Sequence, residues 1–166
     1  MMRCPANALL KIGALVWLSL LAVGVAAAQA AAPTAITAES LRWTSPPNMP
    51  GVQGAWFVGA PDKPGAYLFR VKLSPGARIP PHTHPDERSS TVLSGTLHVG
   101  FGDSFDEARM VAVPAGAVYV APAGVPHFLW AKEGEVVYQE AGTGPTATRV
   151  ATGAVSASVP PFFDRE

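Results

Sequence analysis

The sequence predicts an all-β domain, a small barrel or sandwich built from short strands. Apolar runs recur between residues 66 and 141, and a cluster rich in glycine or proline closes each run. The chain contains 16 glycines and 17 prolines, and they separate the apolar runs without forming a low-complexity tract. Strands at this spacing, with no convincing helix between them, are typical of sandwiches and barrels.

Residues 66–73 carry the clearest strand signal. Their apolar side chains alternate with a second set, which is the two-residue period of a half-buried strand. The set predicted to face the core is Tyr67, Phe69, Val71 and Leu73. Six further strands are predicted at residues 90–93, 96–101, 110–113, 117–121, 128–131 and 135–141. At residues 104–110 we expect a solvated acidic loop in preference to a helical turn.

The first thirty residues carry the features of a secretory signal peptide. Arg3 and Lys11 form a basic lead, residues 12–28 are apolar, and Ala28-Gln29-Ala30 matches the small-x-small pattern before a cleavage site. Cleavage after Ala30 would give a periplasmic or secreted protein without a membrane segment. The alternative is an uncleaved anchor, since the run falls only slightly short of the roughly 20 residues of a spanning helix.

The remaining chain is predicted to form one domain. Residues 31–50 are rich in Ala, Thr, Ser and Pro and predict an extended arm, and residues 51–166 predict the β-domain, including an apolar tail at 159–163. Cys4 is the only cysteine and would leave with the signal peptide, so the mature chain has no disulfide or thiol nucleophile. The formal net charge is zero without a basic cluster, which excludes nucleic acid as an expected partner.

Two histidines in the stretch His82-Thr83-His84 suggest half of a metal site, because residues i and i+2 of a strand point to the same face. Taken alone, this pair is more often a surface feature. Its surroundings change that interpretation. Gly76 precedes His82 with five residues between them, and Gly95 lies eleven positions after His84. A second group follows, in which Gly116 and five intervening residues lead to the stretch Pro122-Ala-Gly-Val-Pro-His127.

These two groups resemble the two sequence motifs of the cupin superfamily, and the resemblance covers roughly residues 65–144. It implies a jelly-roll-like barrel and a divalent metal held inside it by His82, His84 and His127. Three imidazoles with an open position form the arrangement of catalytic zinc sites. No Arg-Arg pair precedes the apolar run, so we expect metal uptake outside the cytoplasm, where zinc or copper is favoured and iron or manganese is possible.

The chain departs from the cupin pattern beside the second histidine. Arg88 stands where cupins usually carry a glutamate ligand, and Glu87 lies one residue early. In the family's register Arg88 faces the site, whereas a β-bulge near Pro85 would bring Glu87 to the metal instead. An inward Arg88 would favour an anionic ligand but would repel the metal, unless its head group turns to a carboxylate such as Asp86.

Two other polar residues are candidates of a different kind. Gln139 alternates with apolar neighbours and is a candidate for contacting a ligand. His98 lies between Leu97 and Val99, which are expected to face the core, so we expect His98 on the other face of its strand as a surface or interface residue.

Two functions remain open from the sequence. The first is a metal-dependent enzyme, an oxidoreductase, isomerase or lyase, that acts on a small anionic or oxygenated molecule. The alternative is a non-catalytic periplasmic binding or sensing module without tightly bound metal, because one fold can host both functions. A homodimer is expected in either case.

Overall fold

The computed structural model describes residues 35–151, which form ten strands and two short 3₁₀ turns. The strands are β1 Val52–Val58, β2 Gly65–Leu73, β3 Arg78–Thr83, β4 Arg88–Ser94, β5 Thr96–Phe101, β6 Val111–Pro114, β7 Val118–Ala121, β8 His127–Trp130, β9 Val136–Gly144 and β10 Arg149–Val150. The 3₁₀ turns are Ala38–Ser40 and Glu107–Arg109. The predicted signal peptide and apolar tail lie outside the described residues.

The ten strands form two five-stranded sheets in which every pair is antiparallel. The first sheet has the order β1-β2-β9-β4-β7 and the second has the order β10-β3-β8-β5-β6. This architecture confirms the predicted all-β, cupin-type barrel. Between residues 35 and 151, no helix is long and apolar enough to cross a membrane.

The predicted strands correspond to β2 and to β4 through β9, with ends that differ by a few residues. The alternation along β2 is confirmed, because the four apolar side chains predicted to face the core are all buried. The expectation of a plain solvated loop at 104–110 was wrong at Glu107–Arg109. There the Asp106 side chain accepts a hydrogen bond from the Ala108 amide (3.0 Å) and so caps a 3₁₀ turn.

The described part of the predicted arm is attached to the barrel. Thr44 and Gly54 exchange two backbone hydrogen bonds of 2.9 Å, which extend the ladder beyond the edge strand β1. Met49 then enters the core, where it is only 5% exposed. The arm therefore contributes a side chain to the interior that holds the candidate site.

The core lies between the two sheets and consists mainly of aliphatic and tyrosine side chains. Its largest fully buried apolar members include Tyr67, Tyr138, Leu73, Leu97, Leu129, Val92 and Val136. Burial of each side chain of this size contributes about 1.5–3 kcal/mol relative to exposure. Phe128 is also fully buried, but it faces the outside of the second sheet, where the Phe105 ring covers it at 5.0 Å between centroids.

Gly95 in the turn between β4 and β5 shows why this position of the first motif requires glycine. Its φ is +75°, a region that side chains disfavour, and an added Cβ would lie 2.3 Å from the Glu135 carbonyl oxygen. Gly76 has a similar φ of +80°, but nothing lies within 4 Å of its Cβ position. A side chain would strain the backbone at both positions, but only at Gly95 would it also clash with a neighbouring atom.

We expect Gly95→Ala to lower the free energy of unfolding by at least about 3 kcal/mol, because the backbone strain and the overlap with Glu135 add together. The matched variant Gly76→Ala pays only the backbone term, about 1–2 kcal/mol. Urea denaturation of both variants and the parent measures the difference. Equal losses in the two variants would contradict the close approach at Gly95.

Candidate metal centre

His82, His84 and His127 converge inside the barrel. His82 on β3 is directly opposite His127 on β8, and their ring centroids are 4.2 Å apart. The His84 ring lies 4.9 Å from that of His82 and 5.2 Å from that of His127. All three residues are buried, at 1–4% exposure.

Local features of the chain place these rings. Pro80 and Pro81 lack amide hydrogens, and the register of β3 against β8 shifts between Ile79 and His82. The shift sets His82 opposite the first residue of β8. His84 follows the end of β3, and its carbonyl accepts a hydrogen bond from the Gly124 amide (2.8 Å), so the turn before β8 holds it in place.

Each histidine is oriented by a hydrogen bond from its Nδ1 to a backbone carbonyl. The acceptors are Pro80 for His82 (2.8 Å), Ala147 for His84 (2.9 Å) and Val125 for His127 (3.1 Å). A carbonyl oxygen only accepts, so each Nδ1 carries the hydrogen and each Nε2 keeps a free lone pair. Outer hydrogen bonds of this kind fix the tautomer and ring orientation of metal-binding histidines.

The environment keeps the three imidazoles neutral. Burial and the neighbouring His127 and His84 lower the pKa of His82 well below its usual value. Burial and the nearby Arg88 charge lower the pKa of His84 to about 2, and burial lowers that of His127. Metal ions bind neutral imidazole, so the electrostatics agree with the hydrogen-bond pattern.

The three residues fit a divalent metal ion. One ring nitrogen of each histidine lies within 4.8 Å of the others, close enough for small ring movements to bring all three to the 2.0–2.1 Å typical of zinc–imidazole bonds. The Nε2 atom of His84 is buried and has no hydrogen-bond partner among residues 35–151. A buried polar atom of this kind is costly unless something binds it, and a metal would satisfy it.

Arg88 and Glu87 follow the register without a bulge. Arg88 is the first residue of β4 and is 6% exposed, whereas the Glu87 side chain is exposed and lies apart from the histidine cluster. The irregular pairings in β3 and β4 lie at Ile79–His82 and Val92–Ser94, not near Pro85. The structure therefore brings Arg88, and not Glu87, to the interior.

The Arg88 guanidinium is engaged by neighbours inside the barrel. Its Nη1 donates to Glu140 Oε2 and its Nη2 donates to Thr146 Oγ1, both at 2.6 Å. Its Nε lies 3.6 Å from Asp86 Oδ2. Sequence analysis left a choice between an inward arginine and one paired with Asp86, and the structure shows both at once.

Asp86 completes this polar network. The Tyr67 hydroxyl donates to Asp86 Oδ2 (2.5 Å), and the Thr146 hydroxyl donates to Oδ1 through a short hydrogen bond. Burial raises the pKa of Glu140, and the Arg88 charge opposes this effect. Burial is also the largest single influence on Arg88 and lowers its pKa, but Glu140, Tyr67 and Asp86 together outweigh it, so the pKa of Arg88 is raised. One guanidinium therefore stands between two carboxylates beside the histidines.

The sequence analysis did not identify Glu140, and the residue that it proposed for ligand contact, Gln139, lies on the other face of β9. Val136, Tyr138 and Glu140 are the buried residues of β9, so Gln139 points out of the barrel and accepts a hydrogen bond from Arg70 (2.6 Å). The register with β2 decides this, because Glu140 is paired with the buried Phe69. His98 also lies apart from the cluster, with its Nε2 3.3 Å from Glu133 Oε1.

The segment between β9 and β10 supplies three further groups that sequence analysis missed. Thr146 binds Arg88 and Asp86, the Ala147 carbonyl orients His84, and the Thr148 hydroxyl lies 3.3 Å from His84 Nδ1. Backbone hydrogen bonds from Thr146 to Pro61 and from Ala151 to Pro81, each 2.8 Å, fasten this segment. Threonines and alanine in a connecting segment carry no sequence signal for such a role.

A small pocket leads to the site. It encloses about 350 Å³ of empty space, including space open to solvent. Its polar lining comprises His82, His84, Arg88, Glu140 and Thr148, and its apolar lining comprises Met49, Val52, Phe69, Val71, Ile79 and Tyr138. A pocket with few polar groups on an apolar wall is typical of small-molecule sites.

The fold and the site together define a class of protein. It is a small antiparallel β-barrel with three neutral histidines at the end of a mostly apolar pocket. Residues 69–139 match the sequence profile of the cupin domain family. The fold also resembles solved cupin structures, among them an RmlC-like cupin from Shewanella frigidimarina (TM-score 0.53, 16% identity, 68% of this chain and 91% of that chain). Over residues 69–139 the chain is therefore similar to the cupin domain family, and its described residues have the cupin fold.

Two other proteins are similar to this chain, one in structure and one in sequence. A second structural neighbour is the polyketide cyclase RemF from Streptomyces resistomycificus (TM-score 0.62, 18% identity, 78% of this chain and 90% of that chain). Germin-like protein 5-1 from Oryza sativa subsp. japonica is 40% identical over 68 residues, which are 39% of this chain and 30% of the relative. The match thus spans less than a third of that relative's length.

We expect Arg88→Met to lower the free energy of unfolding by about 3–5 kcal/mol, since it leaves the Glu140 carboxylate buried without its partner. Lys63→Met is the matched control, because Lys63 pairs with Asp62 at 3.2 Å on the surface and such pairs contribute at most about 1 kcal/mol. Urea denaturation near neutral pH measures both losses. A loss for Arg88→Met no larger than that of the control would show that the buried pair is not needed for stability.

Proposed function

We propose that His82, His84 and His127 bind one divalent metal ion through their Nε2 atoms, and that a small oxygenated molecule occupies the metal's remaining coordination positions. The observation that carries this proposal is the hydrogen-bond pattern shared by the three rings, in each of which Nδ1 donates to a backbone carbonyl. The buried, unpartnered Nε2 of His84 supports it. Zinc or copper is the proposed metal, with iron or manganese as the alternative.

A divalent metal at this position would act as a Lewis acid toward an oxygenated ligand. The residues of the chain would orient the metal ligands and contact the bound molecule. The carbonyls of Pro80, Ala147 and Val125 hold the rings in place. The apolar wall of the pocket contacts the body of the ligand and limits its size. Met49, contributed by the N-terminal arm, forms part of this wall.

The structure bears on the ligand class expected from the sequence. An inward Arg88 suggested an anionic ligand, but two of its nitrogens already donate to Glu140 and Thr146. Glu140 and Asp86 also compensate the charge of the guanidinium, which reduces its attraction for a carboxylate or phosphate. We therefore propose an oxygenated ligand whose binding does not depend on Arg88.

Export and assembly complete the proposal. The basic lead, the apolar run and the Ala28-Gln29-Ala30 site support a cleaved signal peptide and a periplasmic or secreted protein. Residues 51–166 then form the main domain, and a homodimer is the proposed assembly. The exposed valines of the edge strand β7, Val118 and Val120, offer an apolar surface compatible with a partner copy.

We expect the purified protein to contain about one zinc or copper ion per chain, and His82→Ala and His127→Ala to lose at least about 90% of it, because two imidazoles hold a metal far less tightly than three. His98→Ala is the matched control and should keep the metal, since His98 lies outside the cluster. Elemental analysis by mass spectrometry gives the stoichiometry.

Two results would count against the metal proposal. An unchanged metal load in His82→Ala and His127→Ala would show that the ion binds elsewhere. A wild-type protein that takes up no metal, even when dialysed against zinc, would favour the non-catalytic module without tightly bound metal. Stoichiometric iron or manganese in protein from its native compartment would overturn the choice of zinc or copper alone.

We expect the exported protein to begin at Ala31, because Ala28-Gln29-Ala30 has the small residues that a signal peptidase requires. Intact-mass spectrometry of protein from the extracytoplasmic fraction measures the cleavage position. Ala28→Lys with Ala30→Lys should block processing and retain the precursor in the membrane fraction. A full-length chain in the soluble extracytoplasmic fraction would contradict a cleaved signal.

A further inference from the structure

The polar wall of the pocket carries an unusual set of charges for the interior of a barrel. The side chains of Arg88, Glu140 and Asp86 are exposed by only 7%, 5% and 10%. Arg88 and Glu140 line the same pocket as His82 and His84. Burial of charged groups is costly unless they are paired, so the balance within this set determines the potential in the pocket.

The hydrogen bonds show how the positive charge is compensated. Arg88 donates hydrogen bonds to Glu140 and to Thr146, and the Thr146 hydroxyl in turn donates one to Asp86. With both carboxylates ionised, the set has a net charge of −1 beside three neutral histidines. The guanidinium thus adds no uncompensated positive charge to that of a bound divalent metal.

Glu140 occupies the decisive position in this set. Its Oε2 accepts the hydrogen bond from Arg88, and the residue lines the pocket, whereas Asp86 does not. Oε1 takes no part in that hydrogen bond. A negative charge at the pocket wall disfavours an incoming anion and leaves a neutral ligand unaffected.

We propose that Glu140 determines the charge specificity of this pocket, disfavouring anionic ligands and directing the site to neutral oxygenated molecules such as alcohols or carbonyl compounds. This inference rests on the proposed metal site. It assigns to Glu140 a role in ligand selection that is separate from metal ligation, because the cluster of potential metal ligands consists of the three histidines.

Cobalt(II)-loaded protein gives a direct test, because visible absorption of the ion changes when a ligand enters its coordination sphere. Azide serves as the anionic probe and imidazole as the neutral probe. We expect Glu140→Gln to bind azide about ten-fold tighter or more, since the substitution removes one buried negative charge, and to change imidazole affinity by no more than about two-fold. Glu135→Gln, an exposed glutamate on the turn before β9, is the matched control and should leave both affinities unchanged.

A double variant separates charge from shape. In Arg88→Gln with Glu140→Gln both charges of the pair are absent, so the net charge equals that of the wild type and azide affinity should return toward the wild-type value. Azide binding as tight as in Glu140→Gln would overturn the charge mechanism. If Glu140→Gln fails to fold, Asp86→Asn makes the same change on the other side of Arg88 and should also tighten azide binding.

The outcomes distinguish this inference from the proposal on which it rests. A wild-type protein that takes up no cobalt at the three histidines refutes both. A cobalt-loaded protein in which Glu140→Gln and Asp86→Asn bind azide as the wild type does refutes only the role of Glu140. Equal tightening of azide and imidazole would show a general opening of the pocket and would also overturn it.

Discussion

A buried guanidinium between two carboxylates is the constraint around which the polar end of this barrel is arranged. Arg88 is the first residue of β4, Glu140 lies on β9, and Asp86 belongs to the turn after β3. Removing such charges from water costs several kcal/mol for each ion, and only close pairing recovers that cost. The turn after β3, the start of β4 and the segment after β9 are therefore held to positions that also place His84.

The same hydrogen bonds connect stability with the histidine site. Thr146 joins Arg88 to Asp86, and the next residue, Ala147, accepts the Nδ1 hydrogen of His84. A change in the ion pair would move the group that orients a proposed metal ligand. Outer groups of this kind typically affect metal affinity about ten- to one hundred-fold, although they never touch the ion. Charge balance, ring orientation and pocket shape consequently depend on one set of contacts.

The position of Arg88 also changes the chemistry expected of the pocket. An unpaired inward arginine would attract anions and repel a metal. The pairing with Glu140 removes the attraction for anions and offsets the repulsion of a metal. The histidine cluster thus lies beside a polar wall in which carboxylates compensate the Arg88 charge, and the N-terminal arm contributes Met49 to the apolar lining of the pocket.

The sequence by itself determined the fold class and the strand alternation exemplified by β2. The grouping of His82, His84 and His127 was implied by the resemblance of two motifs to those of cupins. Period-two burial is a local property, so it can be predicted from neighbouring residues. The strands β1, β3 and β10 were not predicted. β3 contains two prolines, which disfavour a strand, and β10 has only two residues.

Only the tertiary structure decided which residue of the Gln139-Glu140 pair faces the site. Both faces of β9 carry apolar neighbours, since Val136 and Tyr138 lie on one and Val137 on the other, and pairing with β2 fixes the choice. The hydrogen-bond partners of Arg88, Glu140 and Thr146, are 52 and 58 residues away in the chain, and no local pattern encodes a contact over that separation. The sequence thus specifies which charged and metal-binding side chains the chain contains, whereas strand pairing and packing determine which of them come into contact.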